Sequence, residues 1–133
     1  RAAFDLRAEN NEIHEELTEK LKAALTAAAQ AVGAGVTFDY VMDPAPSYDP
    51  ELAKLVEETI IEELGADRCD VPSRTGGGED FHFYSYLLGI KTAYMSVGAQ
   101  VDPALHIYGN TFDHEMLYAA YRILCAVAHK KLG

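Results

Sequence analysis

Residues 76–80, Gly-Gly-Gly-Glu-Asp, form the segment of this 133-residue chain that most directly suggests chemistry. Three consecutive glycines lose much backbone entropy on folding, so they need a structural or functional reason. The functional reason is a loop whose bare amides line a ligand site, and the structural one is a tight turn passing close to neighbouring backbone. A phosphate loop is excluded because two carboxylates and no lysine follow the glycines directly.

The carboxylates of Glu79 and Asp80 also have two interpretations. Asp80 can cap a short helix, and Glu79 beside it can stabilise the same helix end through the helix dipole. Alternatively, one of them lies near a metal site or orients a loop at such a site. The residue types and spacing leave both interpretations open.

The histidines are the other candidates. Four of the five fall on predicted helices: His14, His82, His114 and His129. His14 and His129 have charged neighbours and are expected to face solvent. His106 differs because it lies in an irregular segment, residues 102–106, where functional side chains are often displayed. A neutral imidazole can bind a metal ion, but one histidine does not define a metal site.

The elements that must position these residues follow from apolar periodicity and from end signals. Residues 4–7 and 36–40 alternate as strands, on either side of a helix capped by Asn10 or Asn11 and ended by Gly33. The helix is predicted to bury one apolar stripe, Ile13, Leu17, Leu21, Ala24, Leu25 and Ala28. This pattern predicts a strand–helix–strand unit.

The second part of the chain begins after a proline-rich stretch, residues 42–50, whose prolines interrupt regular structure. Asp49 caps the next helix with Pro50 at its first position, and Gly65 ends it. Its predicted buried residues are Leu52, Leu55, Val56, Ile60 and Leu64. Residues 90–97 are a predicted strand, and Asp113 caps a last helix. The residues of that helix predicted to face inward are Leu117, Ala120, Tyr121, Leu124 and Ala128. Alternating elements of this kind predict an α/β or α+β chain in two unequal parts.

Charge and composition exclude several classes of protein. The net charge is −10, and the 11 Lys and Arg residues do not cluster, which argues against a nucleic-acid partner. No apolar run approaches the length of a membrane span, and the N-terminus lacks a signal-peptide pattern. Cys69 and Cys125 are predicted to be reduced residues of a cytoplasmic protein, with a single disulfide as the open alternative. The start at Arg1 suggests an excerpt of a longer chain, with a processed start as the alternative.

Taken in order, several motifs resemble one family. They are Gly76-Gly77-Gly78-Glu79-Asp80-Phe81, Lys91-Thr92-Ala93-Tyr94-Met95, Gly98-Ala99, Leu105-His106 and Thr111-Phe112-Asp113. In this order they are similar to the C-terminal end of the co-catalytic zinc amidohydrolases and carboxypeptidases. That family includes hippurate, indole-acetyl-amino-acid and aminobenzoyl-glutamate hydrolases, aminoacylases and glutamate carboxypeptidases. The N-terminal helix with its flanking segments resembles the second half of the family's lid, or dimerisation, domain.

The resemblance implies a domain plan and an activity. Residues 1–41 would be half of a ferredoxin-like lid, residues 42–47 a linker, and residues 48–133 the C-terminal half of an α/β metallohydrolase domain. The full-length enzyme would use two divalent ions, zinc foremost with manganese or cobalt as alternatives, to hydrolyse an N-acyl or aryl amide of an amino acid or short peptide. The general base and most metal ligands would lie upstream, so this chain alone would be inactive.

The resemblance also assigns roles to residues of this chain. His106 matches the histidine that ligates a metal in the family's Leu-His loop. Gly76, Gly77, Gly78, Glu79 and Asp80 match the segment that borders the substrate pocket. Ile107 and Tyr108 depart from the family pattern, which often has a histidine or small residue and then proline there. A homodimer through the lid segment is expected, because an unpaired strand edge favours self-association.

Two other functions remain open at this point. The chain could be a non-enzymatic regulatory or interaction module that forms a strand–helix–strand dimer. In that case the glycines are a turn, Asp80 is only a cap and His106 has no role. It could also be a degenerate hydrolase-like domain that serves as a scaffold.

Overall fold

The computed structural model of the protein describes residues 1–70 and 78–133, and these divide into two compact units. Unit 1 comprises residues 1–47 and 78–92, and unit 2 comprises residues 48–70 and 93–133. The helices are α1 (Asn11–Ala31), α2 (Pro50–Leu64), α3 (Phe83–Leu88) and α4 (Glu115–Leu132), with 3₁₀ turns at Ala66–Arg68 and Asp80–His82. No helix among these residues combines the length and apolar character that a membrane span requires.

The predicted fold class is wrong for the described part of the chain. Residues 4–7, 36–40 and 90–97 are not strands, and the described residues form no sheet. Their only β-type pairing is an isolated antiparallel bridge between Asp102 and Thr111. Neither a ferredoxin-like lid half nor an α/β hydrolase half is therefore present as predicted. Alternating apolar residues favour an extended backbone, but a strand also needs a neighbour that accepts and donates its ladder hydrogen bonds.

Helix α1 of unit 1 begins where the sequence predicts but buries a different face. The Asn10 side chain accepts a hydrogen bond from the Ile13 amide at 2.8 Å, which confirms the predicted cap. Ile13 and Leu17 of the predicted stripe are exposed, whereas His14 and Thr18 are buried. The expectation that His14 faces solvent is therefore wrong.

Hydrogen bonds explain why these polar side chains of α1 can be buried. His14 Nε2 lies 3.0 Å from the Leu6 carbonyl oxygen, so the ring donates there. The Thr18 hydroxyl donates to the His14 carbonyl oxygen at 2.9 Å. A buried polar group that keeps a hydrogen bond avoids most of its desolvation penalty, so periodicity of apolar residues alone does not locate this face.

The rest of unit 1 packs around the proline-rich stretch. Pro44 is fully buried, Ala45 is 3% exposed, and the Ala45 amide donates to the Asn11 side chain at 2.8 Å. Helix α3 is tied to α1 by the Tyr86 hydroxyl, which donates to Glu15 at 2.6 Å. The stretch is irregular, as its prolines require, yet its residues Pro44 and Ala45 are buried within unit 1.

Unit 2 is organised around the packing of α2 against α4. Asp49 accepts from the Leu52 amide at 2.9 Å and Gly65 ends α2 with φ +100°, so both predicted end signals are confirmed. The predicted buried residues of α2 are each at least half-buried. Arg122 joins the helices, because its Nη2 donates to Glu63 Oε2 at 2.6 Å.

The predicted inward face of α4 is wrong. Leu117, Tyr121 and Leu124 are each about 60% exposed, whereas Ile123 is 2% exposed. The N-cap position of α4 is His114 and not the predicted Asp113. The Asp113 carboxylate lies one residue earlier and accepts from the Glu115 amide at 2.9 Å. The exposed apolar side chains of α4 lie on its uncovered side within unit 2.

Candidate functional site

The described end of the glycine segment is in close contact with the proline-rich stretch of unit 1. Gly76 and Gly77 lie outside the described residues. At Gly78, an added Cβ would stand 2.8 Å from both Cγ and Oδ2 of Asp43, which is closer than real Cβ contacts allow. A side chain at 78 would therefore require the Asp43 carboxylate to shift, whatever the role of the two glycines before it.

Glu79 and Asp80 follow as the entry to a short 3₁₀ turn. Glu79 is extended, and its carbonyl oxygen accepts from the His82 amide at 2.9 Å. Neither carboxylate makes a capping hydrogen bond in this turn. The interpretation of Asp80 as a helix cap is therefore wrong, and both carboxylates are exposed.

An open groove begins at Asp80 and continues along α3. It has a volume of about 380 Å³ and its walls are apolar apart from that carboxylate. The side chains that line it are Asp80, Phe81, Phe83, Tyr84, Leu87 and Leu88. This volume falls in the range of small-molecule sites, which are mostly apolar with a few polar groups. The spacing of the aromatic and leucine residues at 81, 84 and 88 is a helical signal that could have located this groove from the sequence.

His82 ends the same 3₁₀ turn and is a buried titratable group, with 1% of its surface exposed. Burial lowers the pKa of His82, and the charges of Glu79 and Asp43 partly oppose that shift. Sequence reasoning placed His82 on the short helix without assigning it a role. Its burial shows that the region below Glu79 holds a neutral imidazole within reach of two carboxylate charges.

His106 stands on a loop of unit 2 that hydrogen bonds hold at its base. The Asp102 and Thr111 backbones exchange hydrogen bonds of 3.0 and 2.9 Å, and the Asn110 side chain donates to the Ala104 carbonyl oxygen at 3.2 Å. His106 itself has φ +63°, a left-handed conformation that costs a non-glycine residue energy. Its side chain is exposed and makes no hydrogen bond to the described residues.

The predicted site residues thus divide between the two units, with Gly78, Glu79 and Asp80 in unit 1 and His106 in unit 2. Within residues 1–70 and 78–133, no three His, Cys, Asp or Glu side chains come together as a metal site would require. His106 offers one imidazole donor, which is fewer than the three or four protein ligands of known zinc sites. The described residues alone therefore do not supply the ligands that a pair of metal ions requires.

Comparison with known proteins decides the family. The model of Peptidase family M20/M25/M40 matches residues 7–130, nearly the whole chain. The chain belongs to peptidase family M20/M25/M40. Searches of curated proteins and of solved structures give no significant match.

Membership of M20/M25/M40 confirms the resemblance at the level of the family. It makes this chain part of a group of metal-dependent peptidases and amidohydrolases. The motifs around Gly78 and His106 both lie within the matched residues. The match does not distinguish among the aminoacylase, hippurate hydrolase and carboxypeptidase branches.

Proposed function

We propose that this chain is the C-terminal part of an M20-family enzyme that hydrolyses an N-acyl or aryl amide of an amino acid or short peptide. The observation that carries the proposal is the family match over residues 7–130, which includes both candidate segments. The enzyme would use two divalent metal ions, zinc foremost with manganese or cobalt as alternatives, which together would acidify the attacking water.

His106 is the proposed metal ligand of this chain. Its imidazole is exposed, and the loop that carries it is closed at its base by the Asp102–Thr111 bridge. A strained backbone that its surroundings hold in place is often found at functional sites. These features support a side chain held out toward a ligand. The other ligands and the general base are proposed to come from residues outside this chain, so the isolated chain is expected to be inactive.

The glycine segment, residues 76–80, is the proposed border of the substrate pocket. The apolar groove beside Asp80 supports this role, because its aromatic and leucine side chains offer a surface for an acyl or aryl group. The exposed carboxylate of Asp80 lines the groove, and Glu79 precedes it in the chain. We assign these residues to substrate binding and give them no part in bond cleavage.

A homodimer through residues 1–41 is also part of the proposal. Its support is now the exposed apolar side chains Phe4, Phe38 and Val41 of this segment. The alternative module, a strand–helix–strand dimer, loses its basis because residues 1–41 contain no strand. The cytoplasm remains the proposed compartment, in keeping with the free thiols of Cys69 and Cys125.

The test is hydrolysis of N-acyl amino acids by the full-length enzyme with added zinc or manganese, comparing His106→Ala with the parent. Loss of a metal ligand is expected to lower kcat/KM by more than about 100-fold, since even residues that only support ligands cost 10–100-fold. His129→Ala is the matched control, because His129 is an exposed histidine in the last turn of α4. Equal rates in the two variants would refute the assignment of His106, and absence of amide hydrolysis in the parent would refute the proposed activity.

A further inference from the structure

Asp43 lies where the glycine segment, the proline-rich stretch and helix α1 meet in unit 1. We propose that Asp43 is a positioning residue for Gly78, Glu79 and Asp80: its carboxylate fixes where Gly78 lies and thereby where the two residues after it lie. The inference rests on the proposed function only in taking that segment as the border of the substrate pocket.

The first support is steric. The Cγ and Oδ2 atoms of Asp43 are 2.8 Å, and Oδ1 is 3.2 Å, from the position of a Cβ on Gly78. The Gly78 Cα therefore lies directly against the carboxylate, and a larger residue fits at 78 only if the Asp43 side chain turns away or one of the two segments moves. All three close atoms belong to the carboxylate group, so a shorter side chain at 43 would remove the clash.

The second support is that Asp43 is itself held in place. The next two residues, Pro44 and Ala45, are almost completely buried, and the Ala45 amide donates to Asn11 at the start of α1. A recess of about 10 Å³, the size of a single water, is shared by Asp43, Gly78 and the buried His14. The backbone that carries the Asp43 side chain is therefore fixed, and a fixed backbone limits where the carboxylate can lie against Gly78.

The third support is electrostatic. Asp43 is one of two carboxylates whose charge acts on His82, and Glu79 is the other. Glu79 and His82 belong to the same 3₁₀ turn, which the hydrogen bond from the His82 amide to the Glu79 carbonyl closes. The charge of Asp43 therefore reaches the turn that its carboxylate positions, and His82 can report on both.

A double-mutant cycle on the chain tests the steric part. Gly78→Ala is expected to lower the folding equilibrium constant about tenfold, as overpacking does, and to shift the amide resonances of residues 79–82. Adding Asp43→Ala removes the three clashing atoms, so the double variant should recover at least half of that loss. Gly35→Ala is the control, because a Cβ at Gly35 meets nothing within 4 Å and no left-handed φ is required there.

The outcomes of this cycle are decisive in both directions. Recovery in the double variant supports the proposal, and so does an unfolded Gly78→Ala whose double variant folds. Losses that simply add, or two unfolded variants, would overturn it. Since none of these measurements uses turnover, a failure of the cycle is distinguishable from a failure of the proposed amidohydrolase activity.

The conservative variant Asp43→Asn separates positioning from charge. It keeps the shape that Gly78 packs against, so the amide resonances of Glu79 and Asp80 should stay in place. It removes the charge, so the NMR titration of the His82 ring should move to lower pH, and Glu79→Gln should move it in the same direction. An unmoved His82 titration in Asp43→Asn, or displaced Glu79 and Asp80 amides, would overturn the proposal.

Discussion

The two units present their candidate functional residues in opposite ways. In unit 1, Gly78 to Asp80 lie over buried polar groups, with His82 and His14 almost completely inaccessible. In unit 2, His106 stands on an exposed loop, and the packing of α2 on α4 buries Ile123 instead. A change near Gly78 must therefore disturb the interior of its unit, whereas a change at His106 need not.

The residues proposed for substrate binding and for metal binding thus depend on their surroundings in different ways. Glu79 follows Gly78, which packs against the Asp43 carboxylate, and its carbonyl oxygen accepts from the amide of the buried His82. The position of His106 is set by backbone hydrogen bonds at the base of its loop. Function at the first site should be inseparable from stability, and function at the second should be separable from it.

The largest stability effect is expected in the apolar interior of unit 2. Ile123→Ala should lower the free energy of unfolding by about 2–5 kcal/mol, because it removes buried methyl groups and leaves a cavity. Leu124→Ala is the neighbouring control, since Leu124 is 61% exposed, and should cost no more than about 0.5 kcal/mol. Urea unfolding measures both, and equal losses would show that α4 is not packed as described.

Acid should weaken unit 1 through His82. The pKa of His82 is lowered by burial in the folded state, so the unfolded chain binds the proton more readily. This stabilisation is fully present above the unfolded pKa of about 6.5 and is lost as the pH falls toward the folded value. The slope from one proton is at most about 1.4 kcal/mol per pH unit.

Hydrogen exchange of unit 1 amides between pH 7.5 and 5.5 measures this slope. His82→Gln should flatten it, whereas His129→Gln, an exposed control on α4, should leave it unchanged. If the slope survives in His82→Gln, another group is responsible for the acid sensitivity.

The smallest expected effect separates stability from function at His106. Because His106 has φ +63°, His106→Gly should leave stability unchanged or raise it by up to about 1 kcal/mol. Hydrolysis should nevertheless be lost in the full-length enzyme. A destabilised His106→Gly would mean that the histidine side chain holds the loop together, and the contrast between the two units would disappear.

Helix ends were predictable from the sequence because they depend on local chemistry. The side chains of Asn10 and Asp49 accept hydrogen bonds from amides three residues further on. Pro50 occupies the first position of α2, and Gly65 ends it. Sheet pairing was not predictable in the same way, since it depends on partners distant in sequence. The alternating residues 36–40 form no strand among the described residues, so the fold class was wrong.

The same distinction between local chemistry and distant partners applies to the buried faces and to the candidate site. Apolar periodicity missed the buried face of α1, because the hydrogen bonds of His14 and Thr18 allow those polar residues to be buried. The family was predictable from the order of its motifs, and the match over residues 7–130 confirms it. The support that Asp43 gives to Gly78 was not predictable, because no pattern links residues 35 positions apart.

Metal content is the most direct measure of whether His106 binds a metal ion in the full-length M20-family hydrolase, as proposed. Elemental analysis of the full-length enzyme and of its His106→Ala variant, each dialysed after saturation with zinc, compares zinc bound per polypeptide. We expect about two zinc ions per polypeptide in the parent and about one or fewer in the variant, with His129→Ala equal to the parent. Equal zinc content in His106→Ala and the parent would contradict it.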